Sequence, residues 1–147
     1  MSTYQFSFEK LEVWQRAKVL AGKIYKETEV FPAEEKYGLV SQMRRAAVSV
    51  CANIAEGTTR QTAKDQAYFT TVSYGSLMEL FSHLAIAADL GYVPTAELDE
   101  YRAAVQTLSV KLSNLKSAQL KRIGKISFIW LFLFFPDIVR PPAILHS

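Results

Sequence analysis

A chain of 147 residues that is 50% hydrophobic and 21% charged is long enough for one packed domain and too apolar for global disorder. A net charge of +3 and a sequence pI near 9.0 are mildly basic and exclude a histone-like composition. The single cysteine excludes an intrachain disulfide framework and fits a reducing cytosol.

The N-terminus, MSTYQFSFEKLEVW, has no positive stretch followed by an apolar run, so no signal peptide is expected and the protein reads as cytoplasmic. A first helix is predicted from Ser7 or Phe8 to Thr28, with Leu11, Trp14, Ala17, Ala21, Ile24 or Tyr25, and Thr28 on one face. Arg16 and Lys23 lie opposite, with Lys26 nearby. Glu12 to Arg16 and Lys23 to Glu27 are spaced as i,i+4 pairs, so the plain reading of these charges is a solvated face.

Phe31-Pro32 ends this helix and starts a second, with proline in its first turn and Glu34 and Glu35 suiting its positive end. Leu39, Met43, Ala46 or Ala47, Val50 and Ile54 form one apolar stripe. Tyr37, Val40, Val48, Cys51 and Ala55 form a second flank, and Arg44 projects into it. Such a helix sits centrally in a bundle or joins a core to a subunit interface. Ala46, Ala47, Ser49, Cys51, Ala52 and Ala55 are small enough to let a neighbouring helix come close. Arg45, Ser49 and Glu56 share the polar strip, with Gln42 and Asn53 at its edge. Gly57 is expected as the cap just past the helix end, with Arg60 in the following loop.

A third helix is predicted from Thr62, where Thr62-x-x-Asp65 resembles a capping box, to about Leu90, with Phe69, Leu77, Leu80, Leu84 and Ala87 inward. Gly75-Ser76 at its middle weakens the helix by ~1 kcal/mol, which suggests close packing there. Gly91 caps it. In the fourth helix Leu98, Tyr101, Val105, Leu108, Leu112 and Leu115 alternate three-four-three, a heptad seam for near-parallel packing. Glu97, Asp99 and Glu100 open this helix, and Lys111, Lys116, Lys121, Arg122 and Lys125 follow, so its far end is basic. The expected fold is all-α, an antiparallel up-down four-helix bundle over 1–125.

The tail over 126–147 departs from the pattern. ISFIWLFLFF is shorter than the ~20 apolar residues that span a bilayer, so no stable membrane insertion is expected. An interface segment, a peripheral membrane contact and an extension from a lost stop codon or frameshift compete, and the extension is favoured because nothing upstream requires the tail.

No catalytic, cofactor-binding or metal site is expected. A di-iron bundle needs two Glu-x-x-His motifs, whereas Glu79 and His83 are i,i+4 and stand alone. Cys51 reads as a small buried hydrophobe, and neither a phosphate loop nor a dinucleotide fingerprint is present. Glu56 and Glu79 read as buried carboxylates bonded to Arg45 or Asn53 rather than as an acid pair. Arg44 or Arg45, set among small and apolar residues with carboxylates within reach on helices 2 and 3, is expected to pair with Glu56 or Glu79 inside the bundle or at a subunit interface.

FEKLEVWQRA at 8–17, FPAEEKYGLVSQMRRAAVSVCANIAEG at 31–57, Arg60, GSLMEL at 75–80 and LGY at 90–92 resemble a bacterial family of four-helix-bundle proteins encoded within intervening sequences of 23S ribosomal RNA genes. The accessory variability determinant of diversity-generating retroelements is related to that family. The resemblance covers about residues 6–122. It implies a barrel-like homopentamer, a role near nucleic acid and no established catalytic activity. Its recurrent positions fall on Gln42, Arg44, Arg45, Asn53, Glu56, Gly57 and Arg60.

The expected function is that of a non-catalytic oligomeric accessory protein binding RNA or DNA through phosphate contacts. Candidate residues are Arg16, Lys23 and Lys26, Arg60 and Lys64, and Lys116, Lys121 and Arg122. The alternative is a protein–protein scaffold for a ribosomal or reverse-transcriptase partner.

Overall fold

The computed structural model describes the backbone of residues 4–134 and the side chains of residues 4–123. Four helices run in order: α1 (Glu12–Glu27), α2 (Leu39–Thr58), α3 (Ala63–Asp89) and α4 (Thr95–Phe134). Consecutive helices pack side by side, α2 on α3 and α3 on α4 most extensively, and α1 and α4 touch least. This is an up-down four-helix bundle, open along one side.

Several boundaries differ from the sequence expectation, each for a local reason. Residues Ser7–Lys10 form a separate 3-10 turn, closed by the Phe6 N–H donating to Glu9 Oε2 at 2.7 Å, and extended Leu11 separates it from α1. The second helix does not begin at Pro32. Ala33–Tyr37 is another 3-10 turn, and α2 starts after Gly38, where the Glu35 carboxylate accepts the Leu39 N–H at 2.9 Å. Glu35 therefore serves α2 as an N-terminal cap from outside the helix.

Gly57 lies within α2 and does not cap it. The reason is close approach: a Cβ there would meet Phe69 Cβ at 3.3 Å and the Gln66 carbonyl oxygen at 3.5 Å. Gly91, at φ 76°, is the left-handed cap of α3. Its N–H reaches the Ala88 carbonyl and that of Tyr92 reaches Ala87, a Schellman pattern. At the other end of α3, Thr62 accepts the Asp65 N–H at 3.1 Å, as the capping box requires.

The core joins Ala17, Leu20 and Ile24 of α1, Met43, Val50 and Ile54 of α2, Leu77, Leu80 and Leu84 of α3, and Val105, Leu108 and Leu112 of α4. The α2–α3 contact is made with small residues. Ser73, fully buried, donates to the Val50 carbonyl at 2.9 Å, and the Ser49 and Ser76 hydroxyls lie 2.8 Å apart. Phe69, expected inward, is only half-buried. Of the Gly75-Ser76 pair, Ser76 makes the expected close contact with α2, whereas Gly75 faces open space. The second apolar flank of α2 is largely uncovered: Val40 is buried, but Val48 and Tyr37 are exposed, and Cys51 and Ala55 are half-buried.

The α4 backbone stays helical to Phe134. The side chains of 126–147, and the rest of the expected extension beyond Phe134, lie outside the described residues. Among those described, no helix is long and apolar enough to cross a membrane.

Candidate nucleic-acid and partner surfaces

The polar residues of α2 divide between two neighbours. Toward α3, Arg45 Nη2 donates to Glu79 Oε1 at 2.6 Å and to Gln42 Oε1 at 2.8 Å. The two charged side chains are 64% and 38% exposed, so this pair lies on the bundle surface and not inside it. Asn53 donates to the Ser49 carbonyl and hydroxyl at 2.8 and 3.1 Å. Glu56 bonds neither Arg45 nor Asn53; its partner is Arg60, one turn on.

Arg44 turns the other way. It donates to Thr28 Oγ1 at 2.8 Å and to the Tyr25 carbonyl at 3.2 Å, with its guanidinium 4.7 Å over the Tyr25 ring. These acceptors are at the C-terminal end of α1, where free carbonyls carry partial negative charge. Arg44 is thus a cap supplied by another helix, a role the sequence reading assigned to no residue.

The cations expected to contact nucleic acid separate into two groups. One gathers where α2 ends, α3 begins and α4 passes. Arg60 lies 4.5 Å over the Phe69 ring, Gln66 donates to the Arg60 carbonyl at 2.8 Å and accepts from Arg122 at 3.2 Å, and Thr70 donates to Gln119 at 2.9 Å. Lys116 lines a cleft of about 200 Å³ with Thr70, Thr71 and Tyr74. Lys64 and Lys121 are exposed on the same elements, as is Tyr68 at 63%. Asp65 and Glu56 are the acids among these residues.

The other group, Arg16, Lys23 and Lys26, is on α1. Arg16 Nε donates to Glu12 Oε1 at 2.8 Å, while Lys111 of α4 reaches Glu12 Oε2 at 2.8 Å. These two hydrogen-bonding cations, Lys111 first, hold the Glu12 carboxyl below its ordinary range. The expected Lys23–Glu27 pair does not form. Glu27 instead accepts from the Tyr101 hydroxyl at 3.1 Å. Burial, and then a hydrogen bond with the Glu97 carboxyl, raise the Glu27 pKa above its ordinary value. Tyr101 is driven well up by burial and by the Glu27 charge.

Between these two cross-links, α1 and α4 leave a groove of about 510 Å³. Val19, Leu20, Ala103, Ala104 and Leu108 give it an apolar surface, with Arg16 and Lys23 on its α1 side. The sequence reading missed this groove. The two adjacent alanines beside the bulky seam of α4, between Tyr101 and Val105, were the available signal.

Cys51 is half-buried, and burial pushes its thiol up to about 11, which leaves it a poor nucleophile at neutral pH. Among the described residues, no group of three or more His, Cys, Asp or Glu side chains is arranged to hold a metal ion.

No curated protein matches this chain. A crystal structure of a protein of unknown function from the S23 ribosomal protein family of Bacteroides thetaiotaomicron is similar in fold. Its TM-score is 0.51 at 17% identity, and the match covers 76% of this chain and 97% of that one. The family described as 23S rRNA-intervening sequence protein matches residues 9–114, most of the bundle. With that span and those four helices, the chain belongs to the 23S rRNA-intervening sequence protein family.

Proposed function

We propose that the protein is a non-catalytic, cytoplasmic, homo-oligomeric accessory protein that binds RNA or DNA through the phosphate backbone. The observation that carries this reading is that Arg122 bonds Gln66, whose side chain also holds the Arg60 carbonyl, while Lys116 lines a cleft with Thr70, Thr71 and Tyr74 and Lys64 and Lys121 are exposed on the same helices. Such a surface neutralises phosphates without reading bases, and exposed Tyr68 adds a ring on which a base can stack. A family named for intervening sequences of 23S rRNA makes RNA the first ligand to test.

Self-association is supported by two uncovered faces. One is the α2 flank containing Val48. The other is the outer face of α3, where Met78 and Ile86 are exposed and Gly75 is open. A homopentamer, the number implied by the family resemblance, would repeat the basic surface around a ring and multiply a weak charge per chain.

Anisotropy titrations of labelled RNA and DNA test the reading. If six or more phosphates are engaged, affinity falls by ~10³ or more between 50 and 200 mM salt. Lys116→Glu with Lys121→Glu weakens binding to all sequences alike while helicity is unchanged. Absence of binding at 50 mM salt by protein that light scattering finds assembled defeats the nucleic-acid reading; a monomer at micromolar concentration defeats the oligomer.

A further inference from the structure

We propose that the α1–α4 groove is a docking site for an acidic amphipathic helix of a protein partner, lying along α1 with its apolar side chains on Val19, Ala103 and Ala104 and its acids against Arg16 and Lys23. Three features carry this. First, the helices are cross-linked at both ends of the groove, by Lys111 to Glu12 and by Tyr101 to Glu27, and touch less than the other adjacent helix pairs. The groove is therefore framed by named contacts. Second, its surface is apolar, and Val19, 62% exposed, projects from its wall. Small Ala103 and Ala104 opposite allow a third backbone to come close, as helix packing at ~8–10 Å requires.

Third, the charge is one-sided. Glu12 already accepts from both Lys111 and Arg16, and Lys23 has no acidic partner among the described residues, so Arg16, Lys23 and Lys111 outnumber the single acid. Arg16 and Lys23 are seven residues apart, about 10.5 Å along α1 at ~1.5 Å per residue. A helix with acids at i and i+7 matches that interval, as flanking charges do in paired helices.

Charge also argues against other occupants. The stretch of α3 that carries Tyr68, Thr71, Gly75 and Met78 offers no acid at those positions, so a second copy that supplied it would leave Lys23 unpaired. Single-stranded nucleic acid uses aromatic platforms, and the groove has none among its lining residues.

The test uses the full chain and a labelled 14-residue peptide of two heptads, too short to be a stable helix alone. It carries leucines on one face and glutamates at i and i+7; its control has lysines in their place. The glutamate peptide is expected to bind about tenfold or more tightly than the lysine peptide, a difference that two rim charge pairs can supply. Arg16→Glu with Lys23→Glu should invert that preference, with unchanged circular dichroism as the folding control. Val19→Arg, at an exposed position, should weaken both peptides without changing the assembly mass. Absent or equal binding of the two peptides overturns the proposal. A drop in mass in Val19→Arg, which would give the groove to a second copy, also overturns it. So does displacement of the peptide by an oligonucleotide.

Discussion

The α2–α3 seam and the α1–α4 groove are two solutions to the same packing problem. In the seam, Ser49, Gly57, Ser73 and Ser76 bring two long helices together, and every hydroxyl there has a partner. Across the groove, bulky Leu20 and Leu108 are buried, but contact at the ends depends on Glu12 with Lys111 and Glu27 with Tyr101. Small side chains allow continuous contact, whereas polar links between long side chains hold two helices at a distance. The first arrangement suits a permanent core and the second a surface that can receive something.

The comparison breaks if substitutions on its two sides have similar effects. Leu77→Ala, at a fully buried position beside the seam, should cost ~2–5 kcal/mol in denaturant unfolding, while Val19→Ala on the groove wall should stay within about 0.5 kcal/mol. Equal losses would mean that the groove is as much part of the core as the seam. Gly57→Val should cost ~1–3 kcal/mol, because the added carbons press on Phe69 and the Gln66 carbonyl. The same readout applies, and a neutral result would show that the α2–α3 approach relaxes freely.

A smaller effect is expected on the surface of the seam. A double-mutant cycle on Arg45→Ala and Glu79→Ala should give a coupling of ~0.2–1 kcal/mol, since both side chains are substantially exposed. A coupling of several kcal/mol would mean that assembly buries the pair.

The last prediction concerns the two links across the groove, which should respond to pH in opposite senses. Glu12 has a lowered pKa in the folded chain, so its contribution is present above the ordinary value of 4.5 and is lost as pH falls through the folded value. Glu27 has a raised pKa, so its contribution is full below 4.5 and declines as pH rises through the folded value. Thermal melts at a series of pH values should therefore show Glu27→Gln gaining on the parent chain as pH rises from 4.5 toward 7. Glu12→Gln should lose against it above 4.5. Parallel melting curves for all three proteins would refute the assignment.

Local signals were legible in the residues alone. The heptad seam of α4, Thr62 before α3 and Gly91 after it depend on side chains within one or two turns, and periodicity fixes the apolar side of each helix. That was enough for the four helices and their order. The boundary at Leu39 was harder to read, because the competing 3-10 turn and the Glu35 cap lie outside the helix they shape.

The assignment of partners depended on tertiary structure. Arg44 and Arg45 are adjacent, so they point about 100° apart on a helix, and the neighbours on those two sides decide their roles. One meets the C-terminal carbonyls of α1 and the other meets Glu79 of α3. Arg60, read as a phosphate contact, is close enough to claim Glu56 first. The groove has the same origin. Residues Leu20 and Leu108 identify two apolar faces, but the distance between those faces follows from how α2 and α3 set the positions of α1 and α4, and no stretch of sequence contains that distance.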